Sequence, residues 1–225
     1  MESRTKTILS TTIPRLDYQD TLPLLNATKR QTAPEYSQNC YETLLRQEVV
    51  IGNYFDRAVN KNKSPLFSIK ERKRMIVLIE TLQQMKNYKD DTFFLAVSIV
   101  DRYLAYLTDQ DDVKPPCRVI LAVTCLLIAA KIEQHSEPSI TLMIKLLQNQ
   151  TGVEHVTKKS LVDCEYEILM ALQFDIRHVS PRQFLDRFQH LMNLDGQNNE
   201  LHEQICTLSH QFCLTILKDK ASLEL

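Results

Sequence analysis

The segment that most restricts the possible folds is an apolar run in the middle of the chain. Val119 to Ala130 reads VILAVTCLLIAA and lies between Arg118 and Lys131. As a helix it would be apolar on every side, yet it is far shorter than the ~20 residues that a membrane-spanning helix requires. The sequence therefore predicts a central helix that is buried among the other elements of the same domain.

The segments around this run have the amphipathic spacing of helices. Apolar residues recur three and four positions apart on both sides of it, and no segment shows the alternation that is typical of a strand. The fold class is therefore predicted as all-α, with five compact helices, one helix before them and two after them. The predicted helices cover residues 36–59, 69–86, 90–107, 115–131, 139–148, 157–172, 180–193 and 199–218.

Charge and glycine content exclude several classes of function. The 27 basic and 28 acidic residues give a formal net charge of -1, which provides no overall attraction to nucleic acid or to an anionic membrane. The 3 glycines are too far apart for the glycine-rich loops that hold nucleotide phosphates. Neither a GxSxG nor an HExxH motif is present. We therefore expect no nucleic acid, no membrane, no small-molecule substrate, no cofactor and no enzymatic activity.

The cysteines indicate a reducing compartment. The 6 cysteines include no CxxC pair, and several fall within predicted helices, so reduced thiols in the cytoplasm or the nucleus are expected. Histidines and cysteines share one face of the last predicted helix, but a single straight helix cannot close a tetrahedral zinc site. No metal site is predicted, and packing is the favoured interpretation. These residues are His202, Cys206, His210 and Cys213.

Two charged residues stand where the helical pattern predicts apolar ones. Lys131 ends the central helix directly after its apolar run, and Glu165 lies in an apolar stripe with Leu161, Ile168 and Leu172. A buried charge without a partner is costly. The two groups therefore either pair within the protein or lie at a surface that is prepared for the polar groups of a partner. The pattern leaves both interpretations open.

Three ordered motifs give the chain a resemblance to a known family. They are FFLAVSIVDRYLAYL at 93–107, LLIAAKIEQ at 126–134 and TKKSLVDCEYEILMALQFDIRHVSPRQFL at 157–185. They resemble the cyclin box, in which LAVxxIDRFL and LLAxKxEE precede a helix of the form KKxxLxxExxILxxLxFDL. The resemblance runs from residue 36 to the last residue of the sequence. It implies a five-helix cyclin box with a central buried helix, an N-terminal helix and a partial second helical repeat.

The resemblance also implies a role for the two charged residues. In cyclins the matching lysine and glutamate lie on the face that docks the αC helix of a cyclin-dependent kinase, and they hydrogen-bond the kinase backbone. Lys131 and Glu165 occupy these positions. A cyclin activates the kinase catalytic subunit allosterically and contributes no catalytic group. The resemblance places four residues in the apolar surround of the pair, namely Ile132, Leu169, Phe174 and Ile176.

Departures from the family pattern limit these expectations. Cyclins pair a buried arginine of the first box helix with an aspartate of the second, which here predicts an ion pair of Arg74 with Asp101. Many cyclins use the tryptophan of MRAILVDWL in a substrate-docking groove, whereas this chain reads RMIVLIETLQQM and has 0 tryptophans. Recruitment of substrates by such a groove is therefore not expected. Gln134 replaces the second acid of LLAxKxEE, and we expect it to weaken kinase docking.

The resemblance predicts four regions and leaves two functions open. Residues 1–35 would form a flexible N-terminal arm, 36–67 a helix and linker, 68–178 the cyclin box, and 179–225 the start of a second, incomplete repeat. The first function is a regulatory subunit that binds and activates a cyclin-dependent kinase. The alternative is a scaffold or adaptor with the cyclin fold in a larger complex. The presence of both charges favours the regulatory subunit, because a scaffold needs neither.

Overall fold

In a computed structural model, the described part of the chain is made of helices. The structure describes residues 39–46, 69–108, 116–151, 155–176, 179–192 and 199–218, and within these ranges it contains no strand. The predicted all-α fold is confirmed. The helices are α1 (39–46), α2 (Ile69–Lys86), α3 (Asp90–Thr108), α4 (Arg118–Glu133), α5 (Ile140–Thr151), α6 (Lys158–Ala171), α7 (Pro181–Met192) and α8 (Asn199–Lys218).

Helix α4 is the centre of the fold, as its apolar sequence predicts. Every residue from Leu121 to Ala130 is buried, and the helix packs against α2, α3 and α6. Helix α5 packs against α2 and α6. Because no face of this middle part of α4 is polar, the surrounding helices remove almost all of it from water. The buried side chains that form the core with it include Met75, Ile79, Phe93, Tyr103, Met143, Leu147, Leu161 and Ile168.

Helix α1 and the C-terminal pair α7 and α8 pack beside this five-helix unit. The ring of Tyr41 in α1 lies edge-on to Phe184 and Phe188 of α7, with centroid distances of 6.1 and 6.5 Å. Helix α8 packs against α7 and also reaches α2. The predicted N-terminal helix is present over 39–46, whereas the predicted arm at 1–35 lies outside the described residues. The boundaries between the four regions stay a prediction.

Side-chain caps fix where α6 and α7 begin. At α6, Thr157 Oγ1 accepts a hydrogen bond from the Ser160 N–H, and Ser160 Oγ accepts one from the Thr157 N–H. This capping box satisfies backbone donors that the helix itself leaves unpaired. At α7, Pro181 is the first helical residue, and the Ser180 N–H donates to Gln183 Oε1 at 3.3 Å. The first cap sets the register of the helix that carries Glu165.

A buried ion pair joins α2 to α3, but its arginine is not the one predicted. Arg72 Nε and Nη2 donate to the two carboxylate oxygens of Asp101, each at 2.8 Å. Arg72 Nη1 also donates to the Leu217 carbonyl of α8 at 3.0 Å. The prediction of Arg74 was wrong, because that side chain lies on the exposed side of α2 and contacts Glu71. Two residues along a helix turn by about 200°, so an error of two positions selects the opposite face.

Burial keeps three titratable side chains between α3, α4 and α6 uncharged. Burial raises the pKa of the Tyr103 phenol, and the nearby Cys164 adds to this effect. Burial likewise raises the pKa of Cys125 well above its ordinary value and that of Cys164 to about 11. Both cysteines are free and buried. They act as small apolar core residues at neutral pH.

Because these pKa values are raised by folding, we expect the protein to lose stability at alkaline pH. Below about pH 8.5 both the folded and the unfolded chain keep their thiols protonated, and the full stability is present. Between that pH and about 11, the unfolded chain releases a proton that folded Cys164 retains. The free energy of unfolding then falls by up to about 1.4 kcal/mol per pH unit and thiol.

Urea unfolding measured from about pH 7.5 to about pH 10.5 checks this expectation. Cys164→Ala is the matched variant, since it removes the thiol and little volume. Its free energy of unfolding should fall less steeply with pH than that of the wild type. Equal slopes for the two proteins would show that the Cys164 thiol does not contribute to the loss of stability at alkaline pH.

Candidate functional site

The two unexpected charges meet at the surface, where the end of α4 lies against the middle of α6. Lys131 Nζ donates to both carboxylate oxygens of Glu165, at 2.6 and 2.8 Å. The two side chains are 34% and 19% exposed. The pair is therefore more accessible than the one between Arg72 and Asp101. Each charge is paired within the protein, and each side chain is still partly accessible to solvent.

Helix geometry explains the position of both residues. Lys131 lies on the last turn of α4, where the helix dipole favours a cation. Glu165 follows Leu161 by four positions and precedes Ile168 by three, and both of these neighbours are at most 1% exposed. The stem of Glu165 therefore lies at the edge of the buried stripe of α6. The pair consequently bridges α4 and α6 at the rim of the core.

The four apolar residues expected around the pair differ in exposure. Ile132 directly follows Lys131, Leu169 lies one helical turn after Glu165, and both are half-buried and pack against the core. Ile176 is 6% exposed, whereas Phe174 is 64% exposed. Of these four residues, Phe174 presents the large apolar surface to solvent, while Ile176 anchors the segment that follows α6.

Helix α6 exposes further apolar residues that the sequence pattern did not single out. Val162, Tyr166 and Met170 are 44%, 63% and 51% exposed. Their spacing of four residues places them on one face of α6, and Phe174 follows beyond the end of that helix. The four-residue spacing can be read from the sequence. It was missed because the neighbouring apolar stripe, which includes Leu161, gives the stronger helical pattern. Neighbouring exposed apolar side chains mark a surface for contact with another protein.

The turn after α6 holds Phe174 in an uncommon backbone conformation. Gln173 and Phe174 have φ values of 53° and 58°, in the left-handed region that glycine favours. The Phe174 N–H donates to the Leu169 carbonyl at 2.9 Å, and the Asp175 N–H donates to the Leu172 carbonyl at 3.0 Å. A bulky residue in this region costs roughly 1 kcal/mol or more. The turn thus keeps an aromatic ring outside the core at a cost to stability.

Gln134, the residue that departs from the family motif, makes a hydrogen bond within the protein. Its Nε2 donates to the Thr92 hydroxyl oxygen at 2.6 Å, and Thr92 is 0% exposed. The side chain therefore contacts the first turn of α3. Its effect on kinase docking stays a prediction.

The histidines and cysteines of α8 do not gather into a metal site in the part of the chain that the structure describes. His210 Nε2 lies 3.0 Å from Asp90 Oδ2, and Arg182 Nη1 lies 3.0 Å from His210 Nδ1. The side chain of His202 lies outside the described part. Among the described residues, no group of three or more His, Cys, Asp or Glu side chains could hold a metal. Nor is any described helix long and apolar enough to cross a membrane.

Comparison with known proteins agrees with this architecture. Residues 39–177 match the family described as the cyclin N-terminal domain. The chain belongs to the cyclin family. Proteins of this family are regulatory subunits without catalytic activity, which agrees with the lack of a catalytic motif in the sequence.

The similar proteins include mitotic cyclins. A G2/mitotic-specific cyclin-B of Dictyostelium discoideum is 28% identical over 80% of this chain and 38% of its own length. A putative cyclin-A3-1 of Arabidopsis thaliana is 33% identical over 58% of this chain and 36% of its own length. This chain therefore spans little more than a third of these relatives.

A solved structure supports the fold independently. The X-ray structure of a viral cyclin from herpesvirus saimiri matches with a TM-score of 0.60 and 21% sequence identity. The match covers 81% of this chain and 73% of the viral chain. At this identity the likeness concerns the fold alone.

Proposed function

We propose that the protein is the regulatory subunit of a cyclin-dependent kinase and that it activates the kinase by docking through the surface around Lys131 and Glu165. The observation that carries the proposal is the pair itself, whose two opposite charges are partly exposed beside apolar side chains. Family membership supports it, since mitotic cyclins are among the relatives. The expected location is the cytoplasm or the nucleus, where such a kinase would be met.

The pair is chemically suited to hold backbone groups of a partner. An ammonium has three N–H donors, and a carboxylate has lone pairs beyond those that Lys131 and Glu165 use for each other. Because they already neutralise one another, docking removes an ion pair from water instead of two isolated charges. The apolar residues nearby exclude water, which strengthens the polar contacts. A partner helix with free backbone groups would fit this surface.

The effect on the kinase would be allosteric. Docking would hold the αC helix of the kinase so that its glutamate pairs with the strand lysine that positions ATP, and would move the activation loop from the substrate cleft. Phe174 and Tyr166, which are 64% and 63% exposed, would supply aromatic anchors for this contact. The chain would contribute no group to phosphoryl transfer.

Affinity capture with the Lys131→Ala/Glu165→Ala double variant tests the proposal. Both charges are removed together because a single substitution would leave its partner unpaired. The pair is partly exposed, so the double variant should lose only about 0–1 kcal/mol of stability. We expect a kinase catalytic subunit to be captured by the wild type, with at least about a tenfold smaller yield from the double variant.

A second ion pair provides the control. Arg74 and Glu71 lie on α2, and Glu71 also contacts Arg118 at the start of α4, about 20 Å along that helix from Lys131. Glu71→Ala/Arg74→Ala should capture the kinase as well as the wild type does. If wild type and double variant captured the same proteins and none was a kinase, the scaffold function would replace the proposal.

A further inference from the structure

We propose that Arg102 is a positioning residue of the docking surface, which acts through Asp175 to hold the turn that presents Phe174. The effect on kinase affinity rests on the proposed function. The effect on the turn is a property of the free chain and can be measured without a kinase.

The contact joins α3 to the turn that follows α6. Arg102 Nη2 lies 3.3 Å from Asp175 Oδ2, and the two side chains are 10% and 77% exposed. The largely buried guanidinium of Arg102 on α3 thus contacts the exposed carboxylate of Asp175, the residue after Phe174. An ion pair with one such exposed member contributes only about 0–1 kcal/mol to stability. The main effect of the ion pair is therefore to fix the position of Asp175.

Buried side chains fix the two ends of the turn, and the backbone hydrogen bonds of Phe174 and Asp175 span its middle. Leu172 and Ile176 are 8% and 6% exposed and form part of the core. Between them, Gln173 and Phe174 both occupy the left-handed region, which disfavours residues with a side chain. Without the ion pair, the strained residues would relax more readily to negative φ, breaking these hydrogen bonds while the buried ends stayed in place. Such a change would redirect the ring of Phe174.

A phenylalanine at position 174 indicates that this side chain contributes to binding a partner more than to the core. Glycine would form this helix end with less strain, and an aromatic ring that is 64% exposed adds little to the core. The ring is therefore useful mainly to a partner. A side chain that is already held in its docking orientation has less freedom to lose when the partner binds. Arg102 and Asp175 supply this preorganisation.

Asp175→Asn is the cleanest test because it removes a largely exposed charge and keeps the shape of the side chain. In the free chain, hydrogen exchange at the amides of Phe174 and Ile176 should become severalfold faster, while exchange at Leu161 and Ile168 stays unchanged. Affinity for the captured kinase should fall about 3- to 10-fold. Arg102→Lys, which keeps the charge, should lose less affinity than Arg102→Gln.

A double-mutant cycle separates positioning from a direct contact. In a Phe174→Ala background, Asp175→Asn should cause no further loss of affinity, because the ring that it positions is gone. Full additivity of the two losses would overturn the proposal, and so would unchanged exchange in the turn. Glu203→Gln removes an exposed charge from α8 and should leave affinity unchanged; an equal loss there would show that net charge alone matters. If the wild type bound no kinase, the proposed function would fail, and the exchange measurement would still decide the role of Arg102.

Discussion

Reversing one charge of the pair that Lys131 forms with Glu165, by Glu165→Lys, is expected to lower the affinity for the kinase by at least about 30-fold while the chain stays folded. The new ammonium would face Lys131 and would offer no acceptor to the partner's backbone. Disrupting a charge pair at an interface costs about 2–5 kcal/mol, and each 1.4 kcal/mol is about tenfold in affinity. Titration calorimetry with the purified kinase measures the loss.

The exchanged pair, Lys131→Glu/Glu165→Lys, distinguishes docking from a purely structural role. It restores an ion pair across α4 and α6, so the melting temperature should lie within about 4 °C of the wild-type value. The polarity offered to the kinase is reversed, and the affinity should stay low. Recovery of kinase binding in the exchanged variant would show that the pair matters only for holding the two helices together.

The largest effect on stability is expected from Arg72→Ala. The variant leaves Asp101 without its bidentate partner and removes the donor to the Leu217 carbonyl. Breaking a buried ion pair in this way costs about 3–5 kcal/mol, a large part of the roughly 5–15 kcal/mol that stabilises a typical domain. Urea unfolding should show this as a lower midpoint, with α8 loosened at the same time.

The neighbouring arginine provides a matched control. Arg74→Ala removes a side chain that is 50% exposed, and its cost should be about 0–1 kcal/mol. If Arg72→Ala is too unstable to purify, Arg72→Lys keeps the charge without the planar fork and should be intermediate. Equal losses for the variants at the two positions would contradict the assignment of the buried pair to Arg72.

Much of the fold was predictable because its centre is apolar on every side. Val119 to Ala130 could only be enclosed by other helices, and the amphipathic segments around it indicated which faces would do so. The unusual position of Glu165 was predictable for the opposite reason, although its partner was not. Glu165 breaks an otherwise apolar stripe, and such a residue needs either an internal partner or an external one.

The buried arginine was not predictable from the pattern. The start of α2 reads IKERKR, and helical spacing alone does not decide which of its cations turns inward. Two candidates that stand two residues apart point to opposite sides of the helix. The contact with Asp101 selects Arg72, and that contact depends on how α2 and α3 pack.

The turn after α6 was predictable only in part. Both Phe174 and Ile176 are apolar, and periodicity no longer separates the inside from the outside once the helix has ended. The left-handed conformation gave no signal, because no glycine marks it. The exposure of Phe174 and its link to Arg102 through Asp175 therefore required the three-dimensional structure.

A titration of the captured kinase with the purified chain, followed by phosphorylation of a peptide substrate, tests the regulatory role most directly. Activity should rise to a plateau with the wild type, and the midpoint should move at least about tenfold higher with Lys131→Ala/Glu165→Ala. A kinase that stayed inactive when shown to be bound, or that responded equally to both proteins, would contradict activation through this pair.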